Sequence, residues 1–208
     1  MNVSAPWGST ANDRVEAVVG TDGTSIWIDW KNRVTAACTS TYVGPNNNLS
    51  DDVSIVLTDG NDRISFAGTG TWTPASVDLC GYGALTLLTT NNHFFFVTGG
   101  SGDDRILLGS QLASGFAGPG TDFIEGAFTI DGNDGNDILI GTSSLSDMDG
   151  GPGLDCLELN ATFFIGTFDC GADRDAYASG HHPSSMSNCE GPTSFPFSTC
   201  APFGPPNN

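Results

Sequence analysis

Positive charge is scarce in this chain. Lys and Arg total 6 against 24 Asp and Glu, a net charge of −18 over 208 residues. Between Ile106 and Asp173 there are 11 acids and no Lys or Arg. Nucleic acid is therefore a poor partner, since nothing there could neutralise phosphates. Histidine is scarce too: His93 stands alone, and His181 and His182 lie in a polar Ser179–Pro183 loop. There is no Gly-x-Ser-x-Gly elbow. Attack on an acidic polysaccharide would need a basic group that the central stretch lacks, and the first 98 residues offer no catalytic constellation. The chain reads as non-enzymatic. The six cysteines have no CxxC spacing, which argues against zinc and for disulfides in an oxidising compartment. No apolar run reaches the roughly 18 residues of a membrane span. No signal peptide is visible in the polar opening Met1-Asn2-Val3-Ser4, which suggests a start codon placed on a mature chain, or another export route.

What is present is a repeat. Residues 99–107, 117–125, 132–140 and 150–158 each approximate Gly-Gly-x-Gly-x-Asp-x-U-x, with U a large aliphatic residue. Ala117 replaces the first glycine of the second copy and Asn133 the second glycine of the third. The repeat aspartates Asp104, Asp122, Asp137 and Asp155 are 18, 15 and 18 residues apart. Glycines let the backbone turn through positive φ and bring carbonyls inward. The aspartate adds a carboxylate, completing the all-oxygen environment that calcium prefers. The last three residues form a short strand that sends Ile106, Ile124, Leu139 and Leu157 into a core. One coil cannot bury its apolar side alone, so coils must stack.

These nonapeptides resemble the RTX family of calcium-binding repeats. The resemblance implies an all-β, right-handed parallel β-solenoid with coils of about 18 residues. Calcium would be held by Asp104, Asp122, Asp137 and Asp155, with carbonyls from Gly100, Gly102, Gly120, Gly135, Gly151 and Gly153. Asp134 and Asp149 are further carboxylates nearby, and Asp62 is a weaker candidate in Gly60-Asn61-Asp62-Arg63-Ile64. The rival reading is that the aspartates only cap turns through local hydrogen bonds. Since only alternate nonapeptides carry the pattern, one row of ions is expected. The 15-residue interval should be trimmed at the opposite edge, near Gly126–Ile130.

Residues 1–50 read as an N-terminal cap or diverged coils, with a strand at Ser25–Trp30 and a hairpin or coil corner at Asp22-Gly23. Residues 51–177 form the solenoid, strongest at 99–158. Asp62 precedes Asp104 by 42 residues, two coils plus an excess of six. Phe94–Phe96 reads as core stacking between coils. Trp27 and Trp30 differ in parity, so they cannot share one strand face as a sugar platform. The copy ending at Tyr177 has Asp173 where glycine belongs, which casts doubt on an ion there. Residues 178–208 read as an irregular tail tied down by disulfides. Six cysteines allow fifteen pairings. Cys170–Cys189 matches the Asp-Cys-Gly followed by a second cysteine that ends many secreted calcium-repeat proteins. Cys38–Cys80 and Cys156–Cys200 are the preferred remainder.

The expected function is a secreted, extracellular, calcium-binding structural or adhesive protein of a bacterial surface or matrix. Other copies of itself or matrix polymers are its expected partners. A calcium-dependent fibre subunit is the alternative, ahead of a carbohydrate- or ice-binding module or a secretion module of a larger toxin or enzyme. The residues after the repeat aspartates (Arg105, Phe123, Ile138 and Cys156) form no Thr or Asn ladder of the kind ice binding needs.

Overall fold

Short aliphatic runs between glycine turns satisfy their backbone groups by pairing with the neighbouring coil. The computed structural model describes residues 2–4, 14–45, 53–57, 59–66, 76–77, 79–83, 85–87, 95–109, 113–126, 129–142, 147–159, 166–173, 175–179 and 185–189. Among these residues there is no helix, hence none long and apolar enough to cross a membrane.

The N-terminal half contributes β1 (Asn2–Ser4), β2 (Arg14–Thr21), β3 (Ser25–Asn32), β4 (Cys38–Pro45), β5 (Val53–Val56) and β6 (Arg63–Phe66). Then come β7 (Ser76–Val77), β8 (Leu85–Leu87) and β9 (Phe95–Thr98). The repeat region contributes β10 (Arg105–Gly109), β11 (Ala113–Phe116), β12 (Phe123–Gly126), β13 (Thr129–Asp131), β14 (Ile138–Gly141), β15 (Asp147–Asp149) and β16 (Cys156–Leu159). Strands β17 (Thr167–Asp169), β18 (Ala176–Ser179) and β19 (Ser185–Ser187) follow.

These strands form a parallel β-solenoid with two faces. One sheet runs β1-β5-β9-β11-β13-β15-β17-β19; the other runs β18-β16-β14-β12-β10-β6-β2 and continues antiparallel through β3 and β4. Asp22-Gly23 is a hairpin: the Asp22 carboxylate accepts the N–H groups of Thr24 and Ser25, and β2 and β3 pair antiparallel. The N-terminal end of the second sheet is thus closed by a meander.

The connection from the first sheet to the second has constant length: residues 57–62, 99–104, 117–122, 132–137, 150–155 and 170–175. The return connection varies, occupying 110–112, 127–128, 142–146 and 160–166. The 15-residue interval is therefore trimmed at the return edge, where 127–128 is the shortest link.

One expectation is overturned. Asp62 and Asp104 are one coil apart, not two, because Arg63 pairs directly with Arg105 and Val53 with Phe95. The extra length lies in residues 67–94, where β7 and β8 pair antiparallel and β8 docks on β2. Antiparallel pairing with β2 takes this segment out of the coil period.

Ile106, Ile124, Leu139 and Leu157 are fully buried and face Ile55, Val97, Ile130, Met148 and Phe168 of the other sheet. Each such side chain contributes on the order of 1.5–3 kcal/mol. Trp30 is wholly buried in this core. Trp27 instead packs edge-on against exposed Tyr42 at 5.3 Å, as its opposite parity requires. Phe96 corrects a second expectation. It lies half-buried next to core-facing Val97 and stacks on Phe116 with centroids 6.5 Å apart, so the pair spans coils outside the core. The side chains of Phe94 and Phe95 fall outside the described set.

Cys38–Cys80 and Cys170–Cys189 are disulfides. Cys156 is also disulfide-bonded; Cys200 lies outside the described residues. Cys156 has the parity opposite to core-facing Leu157, yet it is buried beside Phe123 and Ile138.

Candidate functional site

The constant edge stacks the repeat aspartates into one column. Asp62, Asp104, Asp122, Asp137, Asp155 and Asp175 are all buried, none more than 4% exposed. Each carboxylate reaches back across one coil. Oδ1 of Asp104 accepts the Asp62 N–H at 2.7 Å, and Oδ1 of Asp122 accepts that of Asp104 at 2.6 Å. Asp137, Asp155 and Asp175 repeat the bond to the preceding aspartate at 2.8, 2.8 and 2.9 Å. The aspartates therefore do cap backbone, and every one of these Oδ1 bonds runs between coils. A second ladder clamps the turns in the opposite sense. Asp103 N–H donates to Asn61 Oδ1, Thr121 N–H to Asp103 Oδ1, and Leu154 N–H to Asn136 Oδ1.

The second carboxylate oxygens are treated differently. In Asp104, Oδ2 accepts the Gly100 N–H at 2.9 Å. In Asp122, Asp137 and Asp155, Oδ2 is buried with no hydrogen-bond partner. An unsatisfied buried acceptor costs about 1–3 kcal/mol, so three in a column is a strong departure from ordinary packing. A Cβ built on Gly132 would lie 2.5 Å from Asp137 Oδ2, and one on Gly150 would lie 2.7 Å from Asp155 Oδ2. In these two turns the opening glycine leaves room for the carboxylate.

Backbone carbonyls crowd the same edge. A Cβ on Gly120 would overlap the Gly102 carbonyl, one on Gly135 the Gly120 carbonyl, and one on Gly153 the Gly135 carbonyl. Likewise Gly118 faces the Gly100 carbonyl and Gly171 the Gly151 carbonyl. Gly135 and Gly153 also have φ of 152° and 148°, which an L side chain rarely adopts. The departures from glycine are accommodated in kind: Asn133 has φ of 64° and Asp173 of 86°, the left-handed region that Asn and Asp tolerate best.

Burial pushes Asp104 up to about 6, Asp122 to about 7, Asp137 to about 8 and Asp155 to about 7. The donated N–H groups offset this in part, while neighbouring carboxylates of the column add to it. The charged column is thus destabilised both by loss of water and by its own repetition.

The donor set is hard and all-oxygen. Among the described residues no three His, Cys, Asp or Glu side chains converge, so a cation here would rely mainly on carbonyls with carboxylates from adjacent coils. Asp62 and Asp175 join the column that the four central copies define. Asp134 does not: it is exposed, and its carbonyl accepts the Gly120 N–H. Asp149 is exposed on β15, in register with Asp131. Asp13 lies outside the described residues.

No family model, curated protein or solved structure matches the chain. The fold is that of a repeat solenoid with a buried aspartate ladder.

The sequence reading weighed the row Arg105, Phe123, Ile138 and Cys156 only as an ice-binding ladder and passed over the arginines that extend it. The position after each column aspartate reads Arg63, Arg105, Phe123, Ile138, Cys156 and Ala176, and these residues pair in register on successive strands. Arg14 extends the row by pairing with Arg63. The outward row is cationic at one end and apolar at the other. Aligning Asp13-Arg14 and Asp62-Arg63 with Asp104-Arg105 would have exposed it.

Proposed function

We propose that the protein is a secreted, calcium-binding structural or adhesive solenoid of the RTX type. The observation that carries this reading is the column of buried carboxylates in which Asp122, Asp137 and Asp155 each retain an unpartnered Oδ2 beside a carbonyl-lined turn. Calcium would be held by Asp104, Asp122, Asp137 and Asp155, with carbonyls of Gly100, Gly102, Gly120, Gly135, Gly151 and Gly153. When bound, it would supply the positive charge that the column lacks. The disulfides Cys38–Cys80 and Cys170–Cys189 fit an extracellular location, where calcium is abundant. A ligand that binds only the folded chain stabilises it by RT ln(1 + [L]/Kd), so calcium would act as a folding switch.

The meander β2-β3-β4 favours a discrete rod over a fibre, because antiparallel strands replace an open coil at that end.

The test is calorimetric titration of the EGTA-treated, disulfide-intact protein with calcium and with magnesium, followed by circular dichroism and thermal unfolding. Saturable calcium binding with a raised Tm, weakened by Asp137→Asn and absent with magnesium, is expected. No heat with calcium and an unchanged Tm would leave the column as a hydrogen-bonded spine alone.

A further inference from the structure

A chain of net charge −18 gathers four of its six Lys and Arg residues around one groove. The groove holds about 300 Å³ and is lined by Arg14, Arg33, Arg63 and Arg105, with Ser65 and Leu107 among its other walls. Arg14, Arg63 and Arg105 occupy paired positions on β2, β6 and β10, which sets them about 4.8 Å apart along the solenoid. Like charges directly opposite one another destabilise a sheet, and an anion lying along the row would relieve that repulsion.

Three observations indicate how the row is held. Arg105 lies over the Phe123 ring, 4.8 Å from its centroid, a cation–π contact that holds its head group at the ring face. Its Nε is buried without a hydrogen-bond partner. Burial, then the charges of Arg14 and Arg105, lower the pKa of Arg63, although an arginine stays protonated all the same. At the rim, Glu16 is bound to Arg33 at 3.0 Å on the surface. An exposed pair of that kind is worth at most about 1 kcal/mol.

We propose that this groove binds oxyanions carried in series on an acidic glycan, with Arg14, Arg63 and Arg105 as the principal donors and Arg33 at its rim. Guanidinium forks match carboxylate and sulfate geometry bidentately. The spacing selects the polymer. Double-stranded nucleic acid carries one charge per about 1.7 Å, far more densely than the arginine row. One acid per sugar is closer to the repeat of the arginine row. The inference does not depend on the calcium reading, because none of these arginines belongs to the aspartate column.

The experiment uses the full disulfide-intact chain and a uronic-acid oligosaccharide too short to gel with calcium. Binding is measured by calorimetry in calcium and again in EGTA, with an oligonucleotide of similar length as competitor. The expected result is salt-sensitive binding that Arg14→Gln/Arg63→Gln/Arg105→Gln weakens by about tenfold or more, with the calcium titration unchanged. Arg105→Lys, which keeps the charge and loses the fork, should fall between. Should the triple variant not fold, the Arg105 Nε–H resonance of the unaltered protein is followed instead; it should shift on adding the oligosaccharide. Equal binding by a folded triple variant, an unmoved Nε–H resonance, no binding at all, or preferential capture of the oligonucleotide would overturn the proposal.

Discussion

The backbone N–H of Asp122 donates a 2.8 Å hydrogen bond to Oδ1 of Asp137, one coil further along, while Oδ2 of Asp137 is buried without a partner. One oxygen of the carboxylate thus joins coils, and the other remains available to a cation. The two roles can be separated by substitution.

Asparagine at position 137 keeps an oxygen for the Asp122 N–H and removes the charge. In EGTA at pH 8, Asp137→Asn should unfold in urea at no lower concentration than the unaltered protein. Asp137→Ala orphans a buried N–H and should lose about 1–3 kcal/mol. Equal losses in both would mean that the bond to Asp122 contributes little.

The pH dependence has a definite sign. Asp104, Asp122, Asp137 and Asp155 are raised by burial to between about 6 and about 8, above the ordinary value of 3.8. Between those limits the folded ion-free chain holds more protons than the unfolded chain, so its stability falls as pH rises. Thermal unfolding in EGTA should therefore give a higher Tm at pH 5 than at pH 8. Calcium should reduce or reverse the difference by stabilising the ionised column. A Tm in EGTA that rises over this interval would contradict the burial of these carboxylates.

Gly153→Ala places a Cβ against the Gly135 carbonyl at a φ of 148°. The obstacle is backbone of a paired coil, so a loss well beyond about 1 kcal/mol is expected. Gly81→Ala is the comparison, since its φ is also positive, at 74°, but nothing lies within 4 Å. It should cost only about 1 kcal/mol. Similar Tm shifts for the two would show that coil contact does not require the glycine.

Leu139→Ala removes a fully buried side chain between Ile124 and Leu157. A loss of about 2–5 kcal/mol in urea unfolding is expected. Replacing Cys170 and Cys189 together by serine should cost about 3 kcal/mol through the unfolded chain. The calcium-binding heat of that folded variant should be unaltered.

Much of the solenoid is legible in the sequence because its period is local. The spacing of Asp104, Asp122, Asp137 and Asp155, with an aliphatic residue two positions later, is enough to place one row inward and one core beneath it. Other features are not local. The step from Asp62 to Asp104 cannot be read from 42 residues of spacing, since the inserted β7–β8 hairpin docks on β2 instead of continuing the coil. Phe96 gave a misleading signal for a related reason. An aromatic run looks like core, but strand parity sends its members to opposite faces, and Val97 took the inner one.

Sequence alone determined the repeat, the inward Asp and aliphatic positions, and the charge that makes a cation plausible, since each follows from residue type and a fixed period. Only the tertiary structure decided which coils are neighbours. It thereby paired each aspartate with the N–H of the preceding one and left Oδ2 unpartnered in the middle of the column. The same stacking brought Arg14, Arg63 and Arg105, far apart in the chain, into one row, because register between parallel strands is set by the packing of whole coils.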